Sequence, residues 1–188
     1  MVSEGLPPRV GMADDVSSVL LDRRIVLVSG DVDAARASAL AAELMTLDAI
    51  GDGHIELRLG SCSGTFDASL LVVDVIEVLG VPVRTSALGM VEGGPVGVLV
   101  AGEHRRITPH GRLRLREPDT IASGSARDLE RSLAERSAVR SAFFAHVARR
   151  VGRPVGDVER EWGRASALEA IDAIALGYVH DVLDRAAR

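Results

Sequence analysis

The segment GMVEGGPVG, residues 89–97, lies between the strand-like VPVRTSAL and the apolar run VLVAG. A strand-to-helix turn of this shape is a place where a protein can present a nucleophile. Here its tip holds Gly93 and Gly94, which have no side chain to offer. Other reactive groups are few. Cys62 sits between Ser61 and Ser63 in the stretch SCSGTF. A thiolate nucleophile there needs a nearby histidine, and His54, His104 and His110 are the nearest in the chain. The alternative is a small buried thiol. Glu92, just before the glycines, is a lone candidate acid. Its alternative reading is a solvated glutamate favoured by a helix N-terminus.

Every strongly basic residue is arginine, and the chain has no lysine. A Ser-Lys dyad, a lysine Schiff base and a phosphate-loop lysine are therefore excluded. Arg114 and Arg116 alternate with Leu113 and Leu115, the pattern of a strand with one charged face. That face is either solvated or set against another subunit, or Arg116 pairs with Glu92 or Glu117. The five histidines are scattered without ligand spacing, and one cysteine excludes a multi-cysteine zinc site. No metal or cofactor is expected.

These residues need elements to position them. RRIVLVSG (23–30) reads as a buried strand, and Asp31 or Asp33 can cap the helical ARASALAAELMTLDAI. HIELRLG (54–60) is a second strand, SCSGTF a turn, and DASLLVVDVIEVLG (67–80) a helix. VPVRTSALG (81–89) is a third strand that ends at the glycine turn, and GPVGVLVAG (94–102) is a short buried helix. HRRITPHGRLRLREP holds two short strands around a P-H-G turn. Residues 125–152 form a long charged helix with an apolar stripe at Leu129, Leu133, Val139, Phe143 and Val147, stopped by Gly152. A short helix, another helix and a last strand or turn close the chain. Alternating strands and helices predict an α/β fold.

The 188 residues suffice for one core, taken as a single domain over 16–188 behind a flexible lead over 1–15. With 3% aromatics, that core must be mainly Val, Leu, Ala and Ile. A net charge of −5 argues against nucleic acid, and no apolar run reaches the roughly 18 residues that cross a membrane. The single cysteine fits a reducing cytoplasm.

Five segments, in order, resemble the proteolytic subunit of the Clp protease, ClpP, in the crotonase-like superfamily. They are LLDRRIVLVSGDVD, LRLGSCSGTF, GMVEGGPVGVLVAG, ITPHGRLRLREP and EAIDAIALGYVHDV. The likeness implies a repeated β-β-α spiral with a protruding handle over about 119–150. It also implies serine peptidases whose triad sits inside two stacked rings fed by an AAA+ unfoldase. On the family pattern the nucleophile falls on Gly93, the histidine on Arg116 and the aspartate on Ala165. The oxyanion positions fall on Gly64 and Gly94, and Ser63 replaces the first of two glycines. Glycine supplies no nucleophile, arginine stays protonated and alanine orients nothing. The resemblance thus implies a ClpP-like subunit without peptidase activity. It would form a homo-oligomer, or a hetero-oligomer with an active paralogue, with a role in assembly. DDVSSVLL lacks the aromatic of the family's pore-gating N-terminus. Two alternatives stand beside this. One is a crotonase-like enzyme using Glu92 or Cys62 for different chemistry. The other is a homo-oligomeric scaffold unrelated to proteolysis.

Overall fold

The computed structural model describes residues 18–118 and 125–183. The expected N-terminal lead and residues 119–124 of the expected handle region lie outside the described residues. After a short helical stretch at 18–22, the chain runs β1 (Ile25–Val32), α1 (Ala34–Ala49), β2 (Ile55–Gly64), α2 (Phe66–Val78), β3 (Val83–Glu92) and α3 (Gly94–Ala101). It continues through β4 (His104–Ile107), β5 (Arg112–Arg114), α4 (Ala126–Val151), α5 (Val155–Trp162), β6 (Ala167–Glu169), α6 (Ala170–Ala175) and β7 (Asp181–Val182). This is the α/β class that the alternating pattern predicts.

Local chemistry explains the element ends. Of the two candidate caps, Asp33 is the one used: its carboxylate accepts from the Arg36 N–H at 2.8 Å. At the other end of α1, Arg24 Nη1 donates to the Leu47 carbonyl at 2.8 Å. Ser125 caps α4 by accepting from the Asp128 N–H, and Gly152 ends it at φ 71°. α3 is apolar all round, and all eight of its residues are buried.

The sheet runs β1-β2-β3-β4-β7, with every neighbouring pair parallel. β3 serves two partners. Its first half pairs with β4 and its second half with β5, which in turn pairs antiparallel with β6. Bends make this division possible. β1 turns at Gly30 (φ 78°), β2 at Ser61 (φ 47°) and β3 at Gly89 (φ 78°). The register slips there, between Val28 and Gly30 and between Gly60 and Cys62. Each bent strand thus contributes two segments before its helix, and the β-β-α repeat follows.

The sequence patterns end the second strand at Gly60 and the third at Gly89. Both strands instead run on, to Gly64 and Glu92. SCSG and GMVE are strand beyond a bend rather than turns. Small residues mark both cases, because a positive φ serves an in-strand bend as well as a reversal.

α4 spans most of the expected handle region, and only its second half enters the core. None of residues 127–142 is fully buried, whereas Phe143, Phe144, His146, Val147 and Ala148 are buried in the body. The expected apolar stripe is therefore split. Phe143 and Val147 face the core, Leu129 and Val139 are half-buried, and Leu133 is 61% exposed. Among the described residues, no helix is long and apolar enough to cross a membrane.

The bend positions are coupled. A Cβ at Gly89 would lie 2.5 Å from Ser61 Oγ. Gly89→Ala is expected to cost about 2–4 kcal/mol, from left-handed backbone plus the clash. In a Ser61→Gly background the clash is gone, and the same change should cost about 1–2 kcal/mol. Urea unfolding of the four proteins of this cycle measures the difference; additive costs would refute the contact.

Candidate functional site

Gly93 is the N-cap of α3, at φ 66° and ψ −131°. Residues with a side chain rarely adopt this backbone, and where they do it stores strain. The Gly93 N–H donates to the Arg114 carbonyl at 3.2 Å. A side chain built on Gly93 would start 3.1 Å from the Gly64 carbonyl oxygen and 3.4 Å from that of Arg116, with Pro118 at 3.8 Å. The tip of the turn therefore lies between the end of β2 and the end of β5. Gly94 is sterically compelled, since its Cβ would fall 2.1 Å from the Thr65 oxygen and 2.3 Å from Ser69 Oγ. Gly64 is similarly confined, with the Val32 oxygen 2.7 Å and Pro95 Cδ 3.3 Å from its missing Cβ. Pro95 opens α3, where its absent N–H costs little.

The other two residues singled out with Gly93 lie just past the ends of the β5–β6 ladder. β5 and β6 pair Arg112 with Glu169, Leu113 with Leu168 and Arg114 with Ala167. The Leu115 N–H continues this ladder to the Ser166 carbonyl at 3.0 Å. The ladder ends there: the Arg116 N–H turns back to the Arg114 carbonyl at 3.1 Å. Ala165 holds a left-handed backbone, φ 49°, and its N–H donates to the Trp162 carbonyl at 2.9 Å. Residues 93 and 116 thus meet at the tip, and Ala165 follows one residue beyond the Leu115–Ser166 bond.

Ion pairs dominate the chemistry around the tip. Arg116 Nε donates to Glu92 Oε1 at 2.9 Å, and Arg114 Nη1 lies 3.6 Å from Glu92 Oε2. Of the arrangements open to Arg116 from sequence, the pair with Glu92 is present. Glu117 is taken by Arg140 instead, through two parallel contacts at 3.0 and 2.9 Å. Arg140 also reaches Glu159 at 2.7 Å and lies over the Phe144 ring at 4.6 Å. Both oxygens of Glu92 face guanidinium groups, which places it as a charge partner rather than an acid aimed into open space.

Of the two readings of Cys62, the burial of its side chain favours the small buried thiol. Its side chain is buried, in register with Gly30 on one neighbouring strand and Val91 on the other. Burial pushes its thiol up to about 12. Burial therefore disfavours the thiolate that a nucleophile needs, and the Cys62 side chain packs in the core. Ser63 Oγ donates to Asp31 Oδ1 at 3.2 Å. Beside the tip runs an open groove of about 530 Å³, lined by Phe66, Pro118, Glu135, Val139 and Arg140. Among the described residues, no group of three His, Cys, Asp or Glu is placed to hold a metal ion.

Sequence reasoning missed what supports the site. Phe66, Phe143, Phe144 and Trp162 form one buried cluster. Phe66 and Phe143 stack at 3.9 Å, and Trp162 meets Phe143 edge-on at 5.2 Å. Trp162 Nε1 donates to the Tyr178 hydroxyl at 3.1 Å, and that hydroxyl donates to Glu161. Burial pushes the Tyr178 hydroxyl well above its ordinary value. The only advance signal was scarcity: a chain with five aromatic residues concentrates them where large rings are needed.

Bent parallel strands, each feeding a helix, with a strand-to-helix turn at the carboxyl end of the central strand and a long, partly exposed helix, define the class of molecule. The chain belongs to the Clp protease family, whose family model matches residues 9–186. It is 31% identical to the ATP-dependent Clp protease proteolytic subunit 4 of Rhodococcus jostii, over 87% of this chain and 86% of that one. It is 29% identical to the ATP-dependent Clp protease proteolytic subunit of Porphyromonas gingivalis, over 91% and 78%. It is 27% identical to the chloroplastic ATP-dependent Clp protease proteolytic subunit-related protein 2 of Arabidopsis thaliana. That match covers 90% of this chain and 62% of the relative's length.

Two outcomes follow from the geometry. Gly93→Ser should cost about 1–2 kcal/mol for its left-handed backbone, read by urea unfolding, with no gain of reactivity toward fluorophosphonates. Cys62 should resist iodoacetamide in the native protein at pH 8 and react on unfolding; rapid native labelling would contradict its burial.

Proposed function

We propose that this chain is a catalytically silent ClpP-like subunit that acts within a Clp-type proteolytic ring through assembly rather than hydrolysis. The observation that carries this reading is the approach of Gly93 to Arg116 at one turn, with Ala165 just past the adjoining β5–β6 ladder. Matched to the family pattern, these are the nucleophile, base and orienting positions. Acyl transfer needs a nucleophile, a base to take its proton and a partner to hold the base. The three residues supply none of these, and Arg116 is committed to Glu92.

Backbone geometry supports the same history. Position 93 keeps the strained conformation that a nucleophilic turn uses. Ala165 keeps a left-handed φ, which aspartate and asparagine tolerate better than alanine. The half-exposed stripe on α4, with Leu133 uncovered, gives assembly a surface in the handle region. The proposed partners are copies of this chain, an active ClpP paralogue and, through the ring, an AAA+ unfoldase. The proposed compartment is the cytoplasm, and the proposed boundaries are one domain over 16–188.

The test combines activity with composition. Pure protein should leave a fluorogenic peptide uncleaved. Native mass spectrometry should then find it in rings with an active Clp proteolytic subunit. Hydrolysis by the pure protein, blocked by a serine-directed inhibitor, would overturn the silent reading. Exclusive self-assembly would remove the mixed ring and leave a homo-oligomeric scaffold.

A further inference from the structure

A second cluster of charged and titratable groups lies away from the vacated turn, where the last strand joins the sheet. β7 is two residues long and pairs only with β4, Arg106 opposite Asp181 and Ile107 opposite Val182. Its flanks add two backbone bonds, from the His180 N–H to the Arg105 carbonyl at 2.8 Å and from Leu183 to Ile107 at 2.6 Å. So short a strand needs side chains to hold it, and His180, which immediately precedes it, supplies one. The Arg105 backbone N–H lies 3.2 Å from His180 Nδ1, and Arg105 Nη2 lies 2.8 Å from His180 Nε2. Both ring nitrogens therefore face donors. A neutral imidazole can accept at one of them; an imidazolium can accept at neither.

Arg105 is fixed in place. It is 6% exposed, and its Nη1 donates to the Arg150 carbonyl at 2.9 Å and the Val100 carbonyl at 3.3 Å. Burial and the Arg150 charge bring it down only to about 10, so it stays cationic at neutral pH. Its Nε is buried with no partner among the described residues.

The other groups around His180 are as follows. From β4, His104 stacks on the His180 ring at 5.5 Å and places its Nε2 2.9 Å from Asp181 Oδ2. From α4, Arg150 donates to the carbonyls of Val100, Ala101 and Gly102 at 2.7–2.8 Å. On β3, Arg84 is in register with His104 and turned toward His54 and Glu56. Asp181 is the acid of β7 itself and is engaged by His104.

We propose that His180 is an acid-released latch: neutral, it clasps Arg105 and holds β7 on β4; protonated, it is driven off and the C-terminal strand opens. Burial first, then the Arg105 and His104 charges, lower the proton affinity of the latched imidazole below its ordinary value. The sign follows. A histidine that binds its proton more weakly when latched contributes fully above its free value of about 6.5, and the contribution is lost as pH falls below it. One proton taken up on opening raises the open fraction by up to about tenfold per pH unit.

Hydrogen exchange on the full-length protein tests this, with intrinsic exchange corrected. Protection of the amides of His180 and Leu183 should fall by up to about tenfold per pH unit below pH 6.5, while those of β1–β3 hold. His180→Gln, which keeps an acceptor but cannot take the proton, should flatten that slope. A flat profile in the wild type, or an equal slope in the variant, would overturn the latch. NMR titration of the wild-type ring is a check that needs no variant. His180 titrating at or above the free imidazole value would also defeat the proposal.

Discussion

The molecule rests on one shared bend. Three neighbouring parallel strands change direction at Gly30, Ser61 and Gly89, each with positive φ. Had the strands run straight, β3 would present one edge to one neighbour. Bent, it offers its first half to β4 and its second to β5, and only the second arrangement brings β5 and β6 to the tip at Gly93. Side-chain sterics limit the choice at each bend. Serine is tolerated at 61 at the cost of a left-handed backbone, and glycine is then obligatory at 89, because Ser61 Oγ occupies the space of its Cβ. The site inherits its geometry from this crowding.

The second constraint is the seat of α4. Gly97 on α3 approaches the Phe143 ring so closely that its Cβ would fall 2.5 Å from Phe143 Cε2. Phe66, at the start of α2, stacks on the other face of the problem, and Trp162 and Phe144 close the cluster edge-on. The projecting helix is therefore clamped at its base by aromatic packing against the helix that carries the glycine turn. His146, buried, adds a contact from its Nε2 to the Gly97 carbonyl at 3.1 Å. Movement of the handle cannot reach α3 without disturbing the densest part of the core.

Much of this was legible from residue patterns, and the exceptions have physical causes. Helix limits at Asp33 and Gly152 could be read because capping is local chemistry. The glycine turn before α3 could be read because consecutive small residues ahead of an apolar run have few other uses. Strand ends were misplaced at SCSG and GMVE because a bend and a turn require the same residues. Pairing of Arg116 with Glu92 was one of several possibilities in sequence; only the parallel register of β3 and β5, Glu92 opposite Arg114, decides it. The aromatic cluster and the His180–Arg105 contact were invisible, since their partners are separated by up to 96 and 75 residues.

On the proposed reading, the vacated turn is also a stable place for evolution to rest. A side chain at position 93 must adopt backbone that costs about 1–3 kcal/mol, a cost justified only while the group does chemistry. Glycine removes the reagent and the strain together. Arginine at 116 then gains a carboxylate partner in Glu92, though exposed near 48%, the pair contributes less than about 1 kcal/mol. The return path is unfavourable at each step: a serine alone reintroduces strain without a base, and a histidine alone gives up the ion pair without a nucleophile. Meanwhile the features that shape the fold, Gly94 against Thr65, Gly64 against Val32 and Gly97 against Phe143, remain under steric constraint whether or not a bond is ever cut. Catalysis and architecture share this turn, but packing alone is sufficient to preserve the architecture.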